Sequence, residues 1–209
     1  LRFFNEEVLY ESAISKMLVD EDIFVTSENR YALSMLYYAE KRILEFFTRR
    51  KDEKNRKIIA TFDEYLIKKQ ETLGFELSTE QKKAVELINN GDKTLFLIGY
   101  AGTGKSTSSR AILELLEETM SYDDIMTIAL SGIASQRISD TTGYNSSTIQ
   151  SLLVKHKEKD FFPYKAILLD EASMVNSVTF YQIISKIDDD TIFIIVGDDG
   201  QLPAIGAGN

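Results

Sequence analysis

Eight consecutive residues, Gly99-Tyr100-Ala101-Gly102-Thr103-Gly104-Lys105-Ser106, constrain this 209-residue chain more than any other stretch. They fit G-x-x-x-x-G-K-[ST], a pattern with meaning only between a strand and a helix. Both flanks are present. Thr94-Leu95-Phe96-Leu97-Ile98 is the apolar run of a buried parallel strand, and Ala111, Ile112, Leu115 and Leu116 recur at helical spacing toward Met120. In that setting the glycines let successive backbone N–H groups turn inward as a nest for anionic oxygens. Lys105 adds a point charge for the β- and γ-phosphates of a nucleotide, and Ser106 a hydroxyl for Mg²⁺. The following helix directs its positive N-terminal end at the same anion.

Further apolar runs at 125–130, 166–169 and 191–196 alternate with helical segments. Strands and helices in alternation after a phosphate loop imply an α/β fold with a parallel sheet covered on both faces. Upstream, the spacing predicts helices over 4–19, 34–50 and 58–73, with a small hairpin from Ile23 to Leu33 and Gly74 as a C-cap. Ser78-Thr79-Glu80-Gln81 has the Ser-x-x-Gln spacing of a capping box that opens a helix to Asn90. The division expected is a small, mainly helical N-terminal module over 1–74 and an α/β nucleotide-binding domain over 75–209.

A net charge of −9 argues against broad electrostatic grip on duplex DNA. Residues 1–98 carry 16 basic against 18 acidic side chains, and 99–209 carry 8 against 15. A narrow single-strand groove that works by stacking and local backbone contacts is compatible with that balance. The run from Arg49 to Lys57, six basic and two acidic side chains, reads as a solvated helix end and linker, with a DNA-contacting patch as the alternative. The absence of cysteine excludes a disulfide framework and thiolate zinc sites and fits a reducing cytoplasm. The lone His156 speaks against histidine metal sites and Ser-His chemistry, and reads as a surface residue. No apolar run approaches the ~18 residues of a membrane span. A chain that starts at Leu1 and stops at Asn209 after a glycine-rich stretch reads as a fragment.

Ile167-Leu168-Leu169-Asp170-Glu171 is an apolar strand that ends in two carboxylates. Ligands of parallel sheets lie beyond the strands' carboxyl ends, where Asp170 and Glu171 emerge. Asp170 suits a role in holding Mg²⁺ with Ser106, and Glu171 a role in orienting and deprotonating an attacking water. Paired acids at a helix start also complement the helix dipole. After the run Ile194-Ile195-Val196, the loop Gly197-Asp198-Asp199-Gly200-Gln201 offers Gln201, whose amide can accept from water and donate to a γ-phosphate.

Together these stretches resemble the successive motifs of superfamily 1 DNA helicases, and most closely the RecD-like, 5′-to-3′ branch. The residues that carry the resemblance are 99–106, Leu130-Ser131-Gly132-Ile133-Ala134-Ser135, Thr148 to Leu153, Asp170-Glu171-Ala172-Ser173-Met174-Val175 and 197–209. The resemblance covers about 78–209 and implies a RecA-like P-loop domain, the first of two, with ATP and Mg²⁺ as cofactors and single-stranded DNA as partner. It implies that Gln81 reads the adenine edge, alongside its capping-box role, and that Gly99, Ala101, Gly102, Thr103, Gly104, Lys105, Ser106 and Thr107 hold the nucleotide. Ser131, Gly132 and Thr148 match DNA-contacting segments, and Gln201 matches the residue that couples the γ-phosphate to DNA. At Gln150 the family usually has histidine.

The family's second RecA-like domain, with its arginine fingers, has no counterpart in these residues, and such a finger is worth ~10³–10⁵ in rate in P-loop NTPases. The expectation is a domain that binds Mg·ATP weakly and hydrolyses it negligibly by itself. A relaxase or Dda-type phage helicase, a P-loop ATPase or kinase unconnected with DNA, and an interaction module that docks a protein through the N-terminal helices are the alternatives.

Overall fold

The computed structural model describes residues 2–25, 30–100, 102–198 and 200. Helix α1 (Arg2–Val19) leads into an antiparallel hairpin, β1 (Ile23–Val25) and β2 (Tyr31–Leu33), then α2 (Ser34–Arg50), α3 (Phe62–Leu73) and α4 (Thr79–Asn89). The α/β part follows as β3 (Thr94–Ile98), α5 (Lys105–Leu116), β4 (Ile125–Ala129), α6 (Gly132–Thr142), β5 (Ser146–Thr148), α7 (Ile149–Lys155), β6 (Ala166–Leu169), α8 (Ser177–Ile184) and β7 (Ile192–Gly197). The sheet runs β3-β7-β6-β4-β5 with every pair parallel, as the alternation implies.

The period of two splits each apolar run between the two faces of the sheet. Leu168 and Ile194 join Leu95, Val85, Ile88, Ile112 and Leu116 in a core beneath α4 and α5. Ile167, Leu169, Phe193 and Ile195 turn the other way and pack with Phe46, Leu152, Ile183 and Ile184. Residues on either side of Gly74 share both cores: Phe46 comes from α2, and Ile58, Phe62, Leu66 and Leu73 lie against the α4–α5 side. Among the described residues no helix is long and apolar enough to cross a membrane.

The helix expected from Ile58 starts at Phe62, because backbone N–H groups in residues 55–59 are tied to the α4–β3 turn. Asn55 N donates to Gly91 O (2.7 Å), Ile58 N to Asn89 O (3.0 Å), and Ile59 N to the buried Asn89 Oδ1 (3.0 Å). Gly91 has φ 91°, and a Cβ there would overlap the Asn55 carbonyl.

Arg50, in the run read as a solvated helix end or a DNA patch, is 2% exposed. Its guanidinium donates to Lys93 O (3.1 Å), Asp189 O (3.1 Å), Asp188 O (3.3 Å), Thr94 Oγ1 (3.1 Å) and Thr191 O, and stacks over the Phe46 ring at 5.0 Å. The guanidinium has five N–H donors in a planar fork and serves five acceptors at once, where a lysine ammonium has three donors. Arg50 thereby fastens α2 to the start of β3 and to the turn before β7.

His156, read as a surface residue, is buried after α7 with Phe162 and Tyr164 edge-on to its ring at 5.9 and 5.8 Å. Neither ring nitrogen has a hydrogen-bond partner. Burial, with help from Lys159, Lys155 and Lys186, holds its pKa below the ordinary value. It serves the core as a neutral aromatic ring.

Candidate nucleotide-binding site

Because β3, β6 and β7 run parallel and adjacent, their carboxyl ends open at the same edge. The loop after β3 turns through Gly102 (φ 82°) and Gly104 (φ 84°), left-handed positions that glycine adopts without a Cβ clash. Gly104 is the N-cap of α5, so the first-turn N–H groups of that helix face the loop's interior. Lys105 Nζ donates to Gly99 O and to Tyr100 O (2.9 Å) and lies 3.4 Å from Asp198 Oδ2. Thr103 Oγ1 donates to Tyr100 O (2.9 Å), and Ser108 Oγ to Gly104 O (3.3 Å).

Facing this loop, a cleft of about 370 Å³ is lined by Lys105, Ser106, Arg137, Asp170, Glu171 and Asp198. Asp170 and Asp198 are buried. Arg137 Nη2 reaches across from α6 to Glu171 Oε1 (2.7 Å) and Asp170 Oδ2 (3.5 Å). Glu171 occupies a left-handed backbone position (φ 55°, ψ 38°) ahead of a short 3₁₀ turn at Ala172–Met174. The donor set suits Mg²⁺, which takes hard oxygens and binds through one or two carboxylates plus substrate phosphates. Among the described residues no cluster of three or more His, Cys, Asp or Glu stands ready to hold a metal by itself. A second cavity of about 370 Å³ lies between α2 and β3, where Arg50 is already committed to backbone carbonyls.

Gln81 closes the expected capping box. Its Oε1 accepts from Ser78 N (2.9 Å) and its backbone N–H donates to Ser78 Oγ (3.3 Å). Its Nε2 also donates to Gly104 O (3.3 Å), so the side chain braces the phosphate loop directly. A cavity of about 330 Å³ opens there, with Gln81, Ser78, Leu97, Gly99 and Lys105 in its wall. Each Gln81 amide atom retains capacity for one further bond.

Ser131 and Thr148 sit at neighbouring strand ends, since Ala129 of β4 is in register with Thr148 of β5. Both are helix N-caps: Ser131 Oγ accepts from Ala134 N (3.1 Å) and Thr148 Oγ1 from Ser151 N (3.1 Å). Gly132 opens α6 and is exposed, as is Gln150, while Thr107 is half-buried in the first turn of α5. Ala101 and Gln201 lie outside the described residues.

Two cleft residues were missed. Asp198 directly follows an apolar strand, as Asp170 does, and could have been found by the same rule. Arg137 carries no local signal, because only the crossing of α6 brings it to the carboxylates. Strand β5 was missed too, since Ser146-Ser147-Thr148 has no apolar signature at this edge of the sheet.

The family described as AAA domain matches residues 76–209. The chain is 28% identical over 196 residues to an ATP-dependent RecD2 DNA helicase of Deinococcus radiodurans, covering 88% of this chain and 26% of that protein. It is 33% identical over 137 residues to a probable conjugal transfer protein TraA of Sinorhizobium fredii, covering 63% of this chain and 12% of that one. The UvsW helicase of bacteriophage T4 shares the fold, with a TM-score of 0.54, 15% identity, and coverage of 83% of this chain and 73% of that chain. The chain thus spans about a quarter of the RecD2 protein's length.

Proposed function

This chain belongs to the AAA domain family, and from that premise we propose that it is the first motor domain of a RecD-like superfamily 1 DNA helicase. One observation carries the reading: a single cleft gathers Lys105 and Ser106 of the phosphate loop with Asp170, Glu171 and Asp198 from the ends of two neighbouring strands. Phosphoryl transfer asks little covalent chemistry of a protein, so positioned charge at these places is what an ATPase needs. The similarity to the RecD2 helicase over most of this chain supports DNA as the setting.

In this reading the loop N–H groups and Lys105 receive the β- and γ-phosphates, which requires Lys105 to leave the Gly99 and Tyr100 carbonyls. Ser106 and Asp170 hold Mg²⁺, whose bound form neutralises phosphate charge. Glu171 orients water and takes its proton, and Gln201 relays the state of the γ-phosphate. Gln81 reads the adenine edge while bracing Gly104. Ser131, Gly132 and Thr148 contact the backbone of single-stranded DNA through groups not engaged in capping. Closure against a second RecA-like domain would supply the missing cations, and states of differing DNA affinity would ratchet the strand 5′ to 3′. The division at residue 74, the cytoplasm as compartment, and a docking role for the N-terminal helices belong to the same proposal.

The test is two-part. By itself this chain is expected to bind a fluorescent ATP analogue with Mg²⁺ and to hydrolyse ATP negligibly, with Lys105→Ala abolishing the binding. A longer protein that contains it should show ATPase activity stimulated by single-stranded DNA. Vigorous hydrolysis by the 209-residue chain, lost in Lys105→Ala, would contradict the half-site reading, and absence of DNA stimulation in the longer protein would favour an ATPase unconnected with DNA.

A further inference from the structure

Arg137 has no part in the scheme above, yet it makes the shortest ion pair in the cleft. Its Nη2 stands 2.7 Å from Glu171 Oε1 and 3.5 Å from Asp170 Oδ2. Both contacts come from one nitrogen, so the longer one can be released while the shorter one is kept. The arginine side chain is 58% exposed and the two carboxylate side chains 12% and 17%, so an exposed side chain reaches acids that face little solvent. Glu171 also stands in the left-handed region, disfavoured for residues with a Cβ, and Glu21 is the only other non-glycine residue there among those described. Such a backbone persists where surrounding contacts over-determine it. Arg137, on α6, engages the carboxylate of Glu171.

The charges of the cleft show the same arrangement twice. Lys105 faces Asp198 and Arg137 faces Glu171 and Asp170, so each cation of the cleft is paired with an acid. A divalent cation on Asp170 would meet the guanidinium at the same carboxylate.

We propose that Arg137 is a positioning residue of this site, holding the Glu171 carboxylate in place and competing with the divalent cation for Asp170. The inference rests on the nucleotide-binding reading. It gives α6, the helix that follows Ser131 and Gly132, a direct link to the hydrolytic carboxylate: displacement of α6 would move Arg137 and, through it, Glu171.

Mn²⁺ binding tests this without turnover. The chain is kept in excess over adenylyl imidodiphosphate, so that little analogue is free to chelate Mn²⁺, and free Mn²⁺ is followed by electron paramagnetic resonance. Arg137→Gln is expected to tighten Mn²⁺ binding by about three-fold or more, the scale of a partly exposed ion pair. Arg137→Lys, which retains the charge on a shorter side chain, should recover part of the wild-type value. The same Arg137→Gln change made in a Glu171→Gln background should produce a clearly different fold-change, since the pair acts as a unit. Mn²⁺ affinity unmoved or weakened by Arg137→Gln would overturn the inference, as would strict additivity with Glu171→Gln. Wild-type chain that fails to bind the analogue at all would overturn the nucleotide reading and this inference together. Normal analogue binding with an unresponsive Mn²⁺ affinity would remove the role of Arg137 alone.

Discussion

Arg49 and Arg50 are neighbours of the same residue type, and their replacement by alanine is expected to have very different consequences. The Arg50 guanidinium has five acceptors and a cation–π contact with Phe46. Five bonds from a charged donor, taken at about 1.5 kcal/mol each, would suggest a loss above ~7 kcal/mol. Two effects reduce it. The Lys93 and Asp188 carbonyls keep backbone donors, Phe193 N at 2.8 Å and Thr191 N at 3.1 Å, so they are not orphaned. Removing the charge also returns the cost of its burial, visible in the lowered Arg50 pKa, whose first cause is desolvation.

A net loss of about 3 kcal/mol remains, near the lower end for breaking a buried charged network. In a domain of this size that is about 6–12 °C in melting temperature. Arg49 pairs with Asp189 at 2.7 Å, but the two side chains are 55% and 64% exposed. Its replacement should change stability by no more than about 0.5 kcal/mol. Urea unfolding followed by far-ultraviolet circular dichroism reads both, in a chain that has no tryptophan. A loss below about 1 kcal/mol for Arg50→Ala, or equal losses for the two variants, would refute the argument that Arg50 fastens α2 to the sheet.

Gly91→Ala should destabilise by about 2 kcal/mol or more, since it adds strain at positive φ to overlap with the Asn55 carbonyl; retention of the wild-type unfolding midpoint would contradict the packing of residues 55–59. His156 is expected to make stability fall in acid. Its folded pKa lies below its ordinary value of 6.5, so the unfolded chain takes up the proton first. The contribution is therefore fully present above about pH 6.5 and is lost as pH falls from there through the folded pKa. His156→Phe, which keeps an aromatic ring, should flatten that part of the stability–pH curve relative to wild type, and parallel curves would contradict it.

The phosphate loop, the strand-ending acids and the capping box were legible because each is a local pattern with a local cause. A glycine that must adopt positive φ, an apolar run bounded by polar residues, and a serine three positions before a glutamine act over one or two turns of chain. The same locality explains what escaped notice. Strand β5 owes its existence to the edge offered by β4, and its Ser-Ser-Thr sequence carries no hydrophobic signal. His156 and Arg50 looked like surface residues because polar side chains usually are, and only their surroundings reversed that.

Local patterns along the chain suffice to place a nucleotide loop between a strand and a helix, to put Asp170 and Glu171 at a strand's carboxyl end, and to make the sheet parallel. Which side chains meet follows from how distant elements pack. Lys105 rests on Asp198 and Gly99, Gln81 braces Gly104, and Arg137 holds Glu171 from 34 positions away. The physical reason is range. Backbone preference and hydrophobic periodicity act between near neighbours in the chain, whereas an ion pair in a cleft depends on where packed helices and strands bring their ends.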